Sequence, residues 1–241
     1  MSIQAEPGTV GNLTVDEELK LREAWAHLLR MGGTPGVSHT SPDRSDEFLT
    51  HVKDKTPEGF RKSLWEFILC EHPDAVIIRF LRARDWDVKN AMDMLVSAVD
   101  WHQERRINPD VVQAGEGVGL KTTRTKDEES FIMQYHSGKS YIRGVDNDDN
   151  PIYIIRVRLH DPHKQSAASM ETYTLHNIET LRAMTAKNNR KVCLVFDLSS
   201  FGLRNMDFHV VKFLIQILEA RYPETLGVVL VHNAPFIFWG M

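Results

Sequence analysis

Apolar residues recur along this chain with two different periods, and the period changes near residue 107. Leu21, Trp25, Leu28 and Leu29 follow helical spacing. Thr14 and Glu17 form a capping box before them, and Gly32-Gly33 supplies the stop. Residues 1–13 are polar and contain Gly and Pro, so fraying is expected there. Residues 32–47, rich in Gly, Ser and Pro, are the clearest linker. From Pro57 the helical period returns. Phe60, Leu64, Phe67 and Ile68 precede a break at Pro73, and Val76, Ile77, Phe80 and Leu81 follow it. Another helix is predicted from Val88 to Arg105, with Ala91, Met94, Leu95, Ala98 and Trp101 on one face. Three segments result: 1–56, an N-terminal helix and linker; 57–106, a compact helical unit; and 107–241, of different character.

In the third segment the apolar runs shorten and become β-branched. Tyr141-Ile142-Arg143 and Ile152-Tyr153-Ile154-Ile155 flank Asp146-Asn147-Asp148-Asp149-Asn150-Pro151, which predicts a hairpin. Residues 166–186 read as a helix, with Met170, Tyr173, Ile178, Leu181 and Met184 on its apolar face. Lys191 to Phe196 and Val228 to Val231 are continuous apolar strands of the kind buried on both faces, separated by a helix from Asp207 to Arg221. Strands alternating with helices predict parallel pairing through helical crossovers. The fold class is therefore α/β with a mainly parallel sheet, behind an all-helical N-terminal unit.

The 207–221 helix is too apolar for an outer helix. Phe208, Val210, Val211, Phe213, Leu214, Ile215, Ile217 and Leu218 leave only a strip of Lys212, Gln216 and Glu219 polar. It is expected to bury two sides, either inside a thick core or with one face lining an apolar ligand cavity.

Composition narrows the chemistry. The 241 residues carry 29 Lys and Arg against 33 Asp and Glu, a net charge of −4, so nothing draws the chain as a whole to nucleic acid. No window approaches the ~18 apolar residues of a membrane span, and the N-terminus lacks the pattern of a secretory signal. Two cysteines, Cys70 and Cys193, cannot form a disulfide framework; reduced thiols in a cytosolic protein are expected. Gly138-Lys139-Ser140 ends like a phosphate-binding loop, but Met133 stands where the first glycine belongs and a strand follows. Gly115-Glu116-Gly117-Val118-Gly119 resembles a dinucleotide loop, but Leu120 replaces the last glycine; a flexible loop is expected. There is no nucleophile elbow, and the eleven histidines show no metal-ligand spacing. No enzymatic activity, metal or cofactor is expected, and the histidines read as surface or satisfied groups.

A linked set of motifs carries a family likeness. Phe80-Leu81-Arg82-Ala83-Arg84-Asp85-Trp86-Asp87, Trp101, Tyr141 to Pro151-Ile152-Tyr153, Phe196-Asp197-Leu198, Tyr222-Pro223-Glu224 and His232-Asn233-Ala234-Pro235 occur in that order. Over residues 57–241 the chain resembles the CRAL-TRIO lipid-transfer family, in particular its fungal phosphatidylinositol-transfer branch. The resemblance implies a helical N-terminal unit and a bowl-shaped α/β domain that buries the tails of one phospholipid. It also implies a cytoplasmic protein that transiently touches endoplasmic reticulum, Golgi or endosomal membranes, with a lipid-metabolising protein as a further partner.

Several site residues follow from the likeness. The last arginine of the F-L-R-A-R motif, here Arg84, is expected near the inositol phosphate, and the Y-P-E glutamate, here Glu224, on the inositol. Val192, Leu194, Phe196, Phe213, Leu214, Ile217, Val229 and Val231 are the candidates for the cavity wall. Relatives that bind phosphatidylcholine carry serine and threonine where this chain has Val192 and Leu194. That favours a more apolar second ligand, sterol-like or isoprenoid, and with it an alternative role as a lipid-sensing scaffold. Family members continue past Phe238-Trp239-Gly240-Met241 through a gate helix, another strand and a threonine/lysine pair, so the chain reads as truncated at its C-terminal end.

Overall fold

The computed structural model describes residues 6–186 and 191–234. The end of the family motif at Pro235 and the terminal Phe238-Trp239-Gly240-Met241 lie outside the described residues. The contacts divide the chain at Asn108/Pro109, with Glu219–Glu224 grouped with the first unit.

The first unit is helical. It contains α1 (Val15–Met31), α2 (Ser45–Leu49), α3 (Pro57–Ile68), α4 (Pro73–Arg82) and α5 (Val88–Glu104). Each start is written in the sequence. Thr14 and Glu17 make the reciprocal capping box of α1, Thr56 caps α3 ahead of a proline at its first position, and Asp87 caps α5. The amphipathic faces meet in one core in which Phe48, Phe60 and Leu81 are completely buried. That core also holds Leu21, Ala24 and Leu28 of α1 and Phe48 of α2, so the last three residues of the expected linker, Ser45 to Glu47, are helical. Residues 6–13 are not frayed. The Gly8 N–H donates to the Asn12 carbonyl at 2.9 Å, and Val10 and Leu13 pack on the core. α4 turns into α5 through two residues in left-handed backbone, Asp85 (φ 50°) and Trp86 (φ 61°). The Trp86 N–H donates to the Leu81 carbonyl at 2.7 Å, holding that turn.

The second unit is α/β. It opens on a π-helical turn at Asn108–Gln113 and a 3₁₀ turn at Gly115–Leu120, the latter over the glycine-rich stretch that the sequence predicts as a flexible loop. There follow α6 (Lys126–His136), β1 (Ser140–Val145), β2 (Pro151–Arg156), α7 (Ala167–Thr185), β3 (Val192–Asp197), α8 (Phe208–Ala220) and β4 (Leu226–His232). The strands lie in the order β1-β2-β3-β4. The hairpin pair is antiparallel and the other two pairs are parallel, as the period change implied.

Two expectations fail here for one physical reason. β4 is not buried on both faces; Val228, Val229, Leu230 and Val231 are all exposed, because among the described residues β4 pairs only with β3. α8 does not bury two sides either. Only Phe213 and Ile217 are buried, and Phe208, Val211 and Ile215 are exposed. Continuous apolar sequence reports a tendency to be buried, and the described residues supply too few neighbours to satisfy it. Met184, expected on the apolar face of α7, is also exposed.

Candidate functional site

The α/β unit carries an open apolar cavity of about 590 Å³. It lies toward the carboxyl ends of the parallel strands, the place where open α/β sheets take ligands. Ile155, Phe196, Leu198 and Val231 come from the sheet side, Met170, Tyr173 and Ile178 from α7, and Phe208, Val210, Val211 and Leu214 from α8. The strand register sets the sheet contribution. Ile155 pairs with Phe196, and Phe196 with Val231, so three strands present one apolar row at the same height.

Of the eight candidates for the wall, Phe196, Leu214 and Val231 line the cavity. The other five do not. Val192 and Leu194 point to the same side of β3 as Phe196 but are buried in a cluster with Tyr153 and Leu181 and do not line the cavity. Val229 pairs with Leu194 and is exposed. Phe213 and Ile217 are buried on α8 away from the lining row. Arg84 and Glu224 belong to the helical unit and do not line the cavity. Arg84 is exposed and donates to the Ala83 carbonyl at 2.9 Å. Glu224, in left-handed backbone at φ 57°, pairs with Arg82 at 3.4 Å. The Tyr222 ring of the same motif is buried edge-on against Trp101, 6.2 Å between centroids.

One part of the wall is polar, and the sequence reading missed it. Lys139, the residue of the failed phosphate loop, is 4% exposed and lines the cavity. Its Nζ donates to Gln134 Oε1 at 2.6 Å and to Gln165 Oε1 at 3.1 Å. It also lies 3.2 Å from Met170 Sδ and 4.7 Å from the Tyr173 ring centroid. Burial pulls this ammonium down to about 7, against the opposing charge of Asp207. The orientation of Gln165 continues the network. Its oxygen accepts from Lys139, so its amide nitrogen donates to His160 Nδ1 at 2.9 Å, and His160 Nε2–H donates to Asp207 Oδ2 at 3.0 Å. Asp207 Oδ1 accepts the Val210 N–H at 3.1 Å and thereby caps α8.

The local balance explains the protonation states. Burial lowers the His160 pKa, assisted by the Lys139 charge and opposed by Asp207. Burial acts to raise the Asp207 carboxyl, but the Val210 N–H and His160 outweigh it and hold the group below its ordinary range. Beside Lys139, the Tyr153 hydroxyl donates to Ser140 Oγ at 2.9 Å, and Ser140 also bonds the Tyr173 hydroxyl. Burial raises both phenols, so they stay protonated. His160 is therefore a buried histidine with both ring nitrogens partnered. Among the described residues no cluster of three His, Cys, Asp or Glu side chains is placed to hold a metal, and no helix is long and apolar enough to cross a membrane.

The description of a CRAL/TRIO domain matches residues 135–241, and that of a CRAL/TRIO N-terminal domain matches residues 45–97. The chain is 38% identical over 185 residues to the CRAL-TRIO domain-containing protein C3H8.02 of Schizosaccharomyces pombe, covering 77% of this chain and 40% of that protein. It is 35% identical over 193 residues to the phosphatidylinositol transfer protein CSR1 of Eremothecium gossypii, covering 80% and 43%. The chain thus spans about two fifths of the length of these curated relatives. Among solved structures, the crystal structure of Sfh5 superposes with a TM-score of 0.55 at 13% identity, over 93% of this chain and 72% of that one, a likeness of fold.

Proposed function

This chain belongs to the CRAL/TRIO family, and from that premise we propose that its cavity receives the acyl chains of a phosphatidylinositol-type phospholipid and carries them between membranes. The observation that carries the reading is the 590 Å³ cavity, whose wall is almost wholly apolar away from Lys139. Removing an acyl chain from water contributes roughly 0.8 kcal/mol per methylene. A bilayer offers the same gain, so uptake and release stay nearly balanced, as a shuttle requires. CSR1, to which the chain is similar, is named a phosphatidylinositol transfer protein. Loading from a membrane surface follows, by transient contact and without a membrane span. The role is one of binding and transfer, with no bond made or broken.

Arg84 and Glu224 are the proposed headgroup residues. Arg84 is exposed with donors to spare for a phosphate, and a carboxylate such as Glu224 can accept ring hydroxyls. The test is uptake of labelled phosphatidylinositol from vesicles by the purified chain. Stoichiometric uptake is expected, with losses in Leu214→Trp, which projects a larger ring into the path of the tails. Glu224→Lys should lose phosphatidylinositol and keep its far-ultraviolet circular dichroism. Unchanged uptake by Leu214→Trp contradicts the cavity; unchanged uptake by Glu224→Lys contradicts the headgroup role.

A further inference from the structure

The cavity wall holds a cation that, among the described residues, has no counter-ion in direct contact. Each group touching Lys139 Nζ is neutral: the side-chain oxygens of Gln134 on α6 and Gln165, the Met170 sulfur and the Tyr173 ring on α7. The charged and titratable groups around it are occupied elsewhere. Asp207 gives its carboxylate to His160 and to the Val210 N–H. On β2, Arg156 donates to the Gly138 carbonyl and stacks 5.1 Å from the Tyr141 ring centroid, and Tyr153 bonds Ser140. His160 receives the Gln165 amide. A buried ammonium facing an apolar space is a standing cost to the fold unless a ligand uses it. One of its three N–H bonds goes to a thioether, the weakest acceptor available, so that bond is the one a ligand would redirect.

We propose that Lys139 anchors the head of a second class of ligand, a single-chain lipid ending in a carboxylate, with its tail along Phe196, Leu214 and Val231. This rests on the reading that the cavity holds lipid. One cation matches the single negative charge of one carboxylate, and the apolar wall beside it takes the tail. The Ser140 hydroxyl, beside Lys139 in the wall, is a further donor for the carboxylate. The expected second ligand, sterol-like or isoprenoid, leaves the cation unsatisfied; an acid satisfies it.

Proton linkage gives the proposal a signature. In the empty cavity Lys139 is half-protonated near pH 7. A bound carboxylate favours the ammonium, so binding above that pH must take up a proton. Affinity for an acid is therefore full below pH 7 and falls up to about tenfold per pH unit above it. The experiment compares oleate with methyl oleate on the full chain from about pH 6 to 9, in wild type, Lys139→Met and Lys139→Arg. Wild type is expected to lose oleate affinity with rising pH while methyl oleate stays flat. Lys139→Met should bind oleate about tenfold or more weakly and keep methyl oleate, which also shows that it is folded. Lys139→Arg should bind oleate without the pH dependence, because its charge persists. Equal and pH-independent binding of acid and ester, or undiminished oleate binding by Lys139→Met, overturns the proposal and leaves lipid binding standing. Failure of wild type to take up either probe overturns the cavity reading as well.

Discussion

The two units use similar apolar side chains to opposite ends. In the helical unit Phe48, Phe60, Phe67 and Phe80 fill the centre, each at most 2% exposed. In the α/β unit Phe196, Leu198, Leu214 and Val231 stand around a space that no described residue fills. Close packing stabilises the first by dispersion and burial together. The second forgoes those contacts, and a ligand can supply them. Apolar content therefore does not distinguish a core from a container. What distinguishes them is whether facing elements bring enough volume to meet.

The sharpest way to break this contrast is truncation in both places. Phe80→Ala should cost about 3–5 kcal/mol in urea unfolding, because a packed core is left with a void. Leu214→Ala should cost about 1 kcal/mol or less, because its side chain already faces empty space. Equal costs would mean that the α/β unit is packed like the helical one.

The next effect has the opposite sign. Lys139→Met should stabilise the protein by on the order of 1–2 kcal/mol, since it removes a buried polar head and keeps the stem. The pH dependence follows from the same group. Its folded value is about 7 and its unfolded value 10.5, so the unfolded chain binds the extra proton between them. The destabilisation is full below pH 7 and is relieved as pH rises toward 10.5. Wild-type melting temperature should therefore gain on Lys139→Met across that window; parallel curves would remove Lys139 from the account.

Capping effects are smaller and test whether both units read their helix starts alike. Thr14→Ala and Thr125→Ala each break a capping box and should each cost about 1 kcal/mol by chemical denaturation. The smallest effect is at Arg84, where alanine should change stability by no more than about 0.5 kcal/mol because the side chain is exposed. A larger loss would make Arg84 structural and weaken its proposed headgroup role.

Much of this was legible in the sequence. Capping boxes and helical spacing located α1, α3, α4 and α5, and the Asp/Asn-rich turn located the hairpin. α6 was overlooked although Thr125 and Glu128 repeat the capping box of α1; its apolar face is short, with only Phe131 and Gln134 buried. The exposure of β4 and α8 was not legible, because an apolar run says nothing of how many neighbours meet it. For the site, the alternation along β3 and β4 identified the correct face but not which of its residues reach the hollow. Lys139 was read only as part of a failed motif. Its burial comes from Gln134, Gln165, Met170 and Tyr173, gathered from separate elements, and no local pattern records that meeting. His160 was hidden for the same reason, since Gln165 and Asp207 reach it only in the folded chain.

The most direct test of the central claim, that the α/β unit is a container for lipid, is native mass spectrometry of the chain purified from cells, followed by extraction and identification of what it carries. The account predicts protein bearing one lipid, released on extraction, and replacement of that lipid by empty protein in Leu214→Trp. Wild-type protein that is uniformly empty, and stays empty after incubation with phosphatidylinositol vesicles and with oleate, would contradict it.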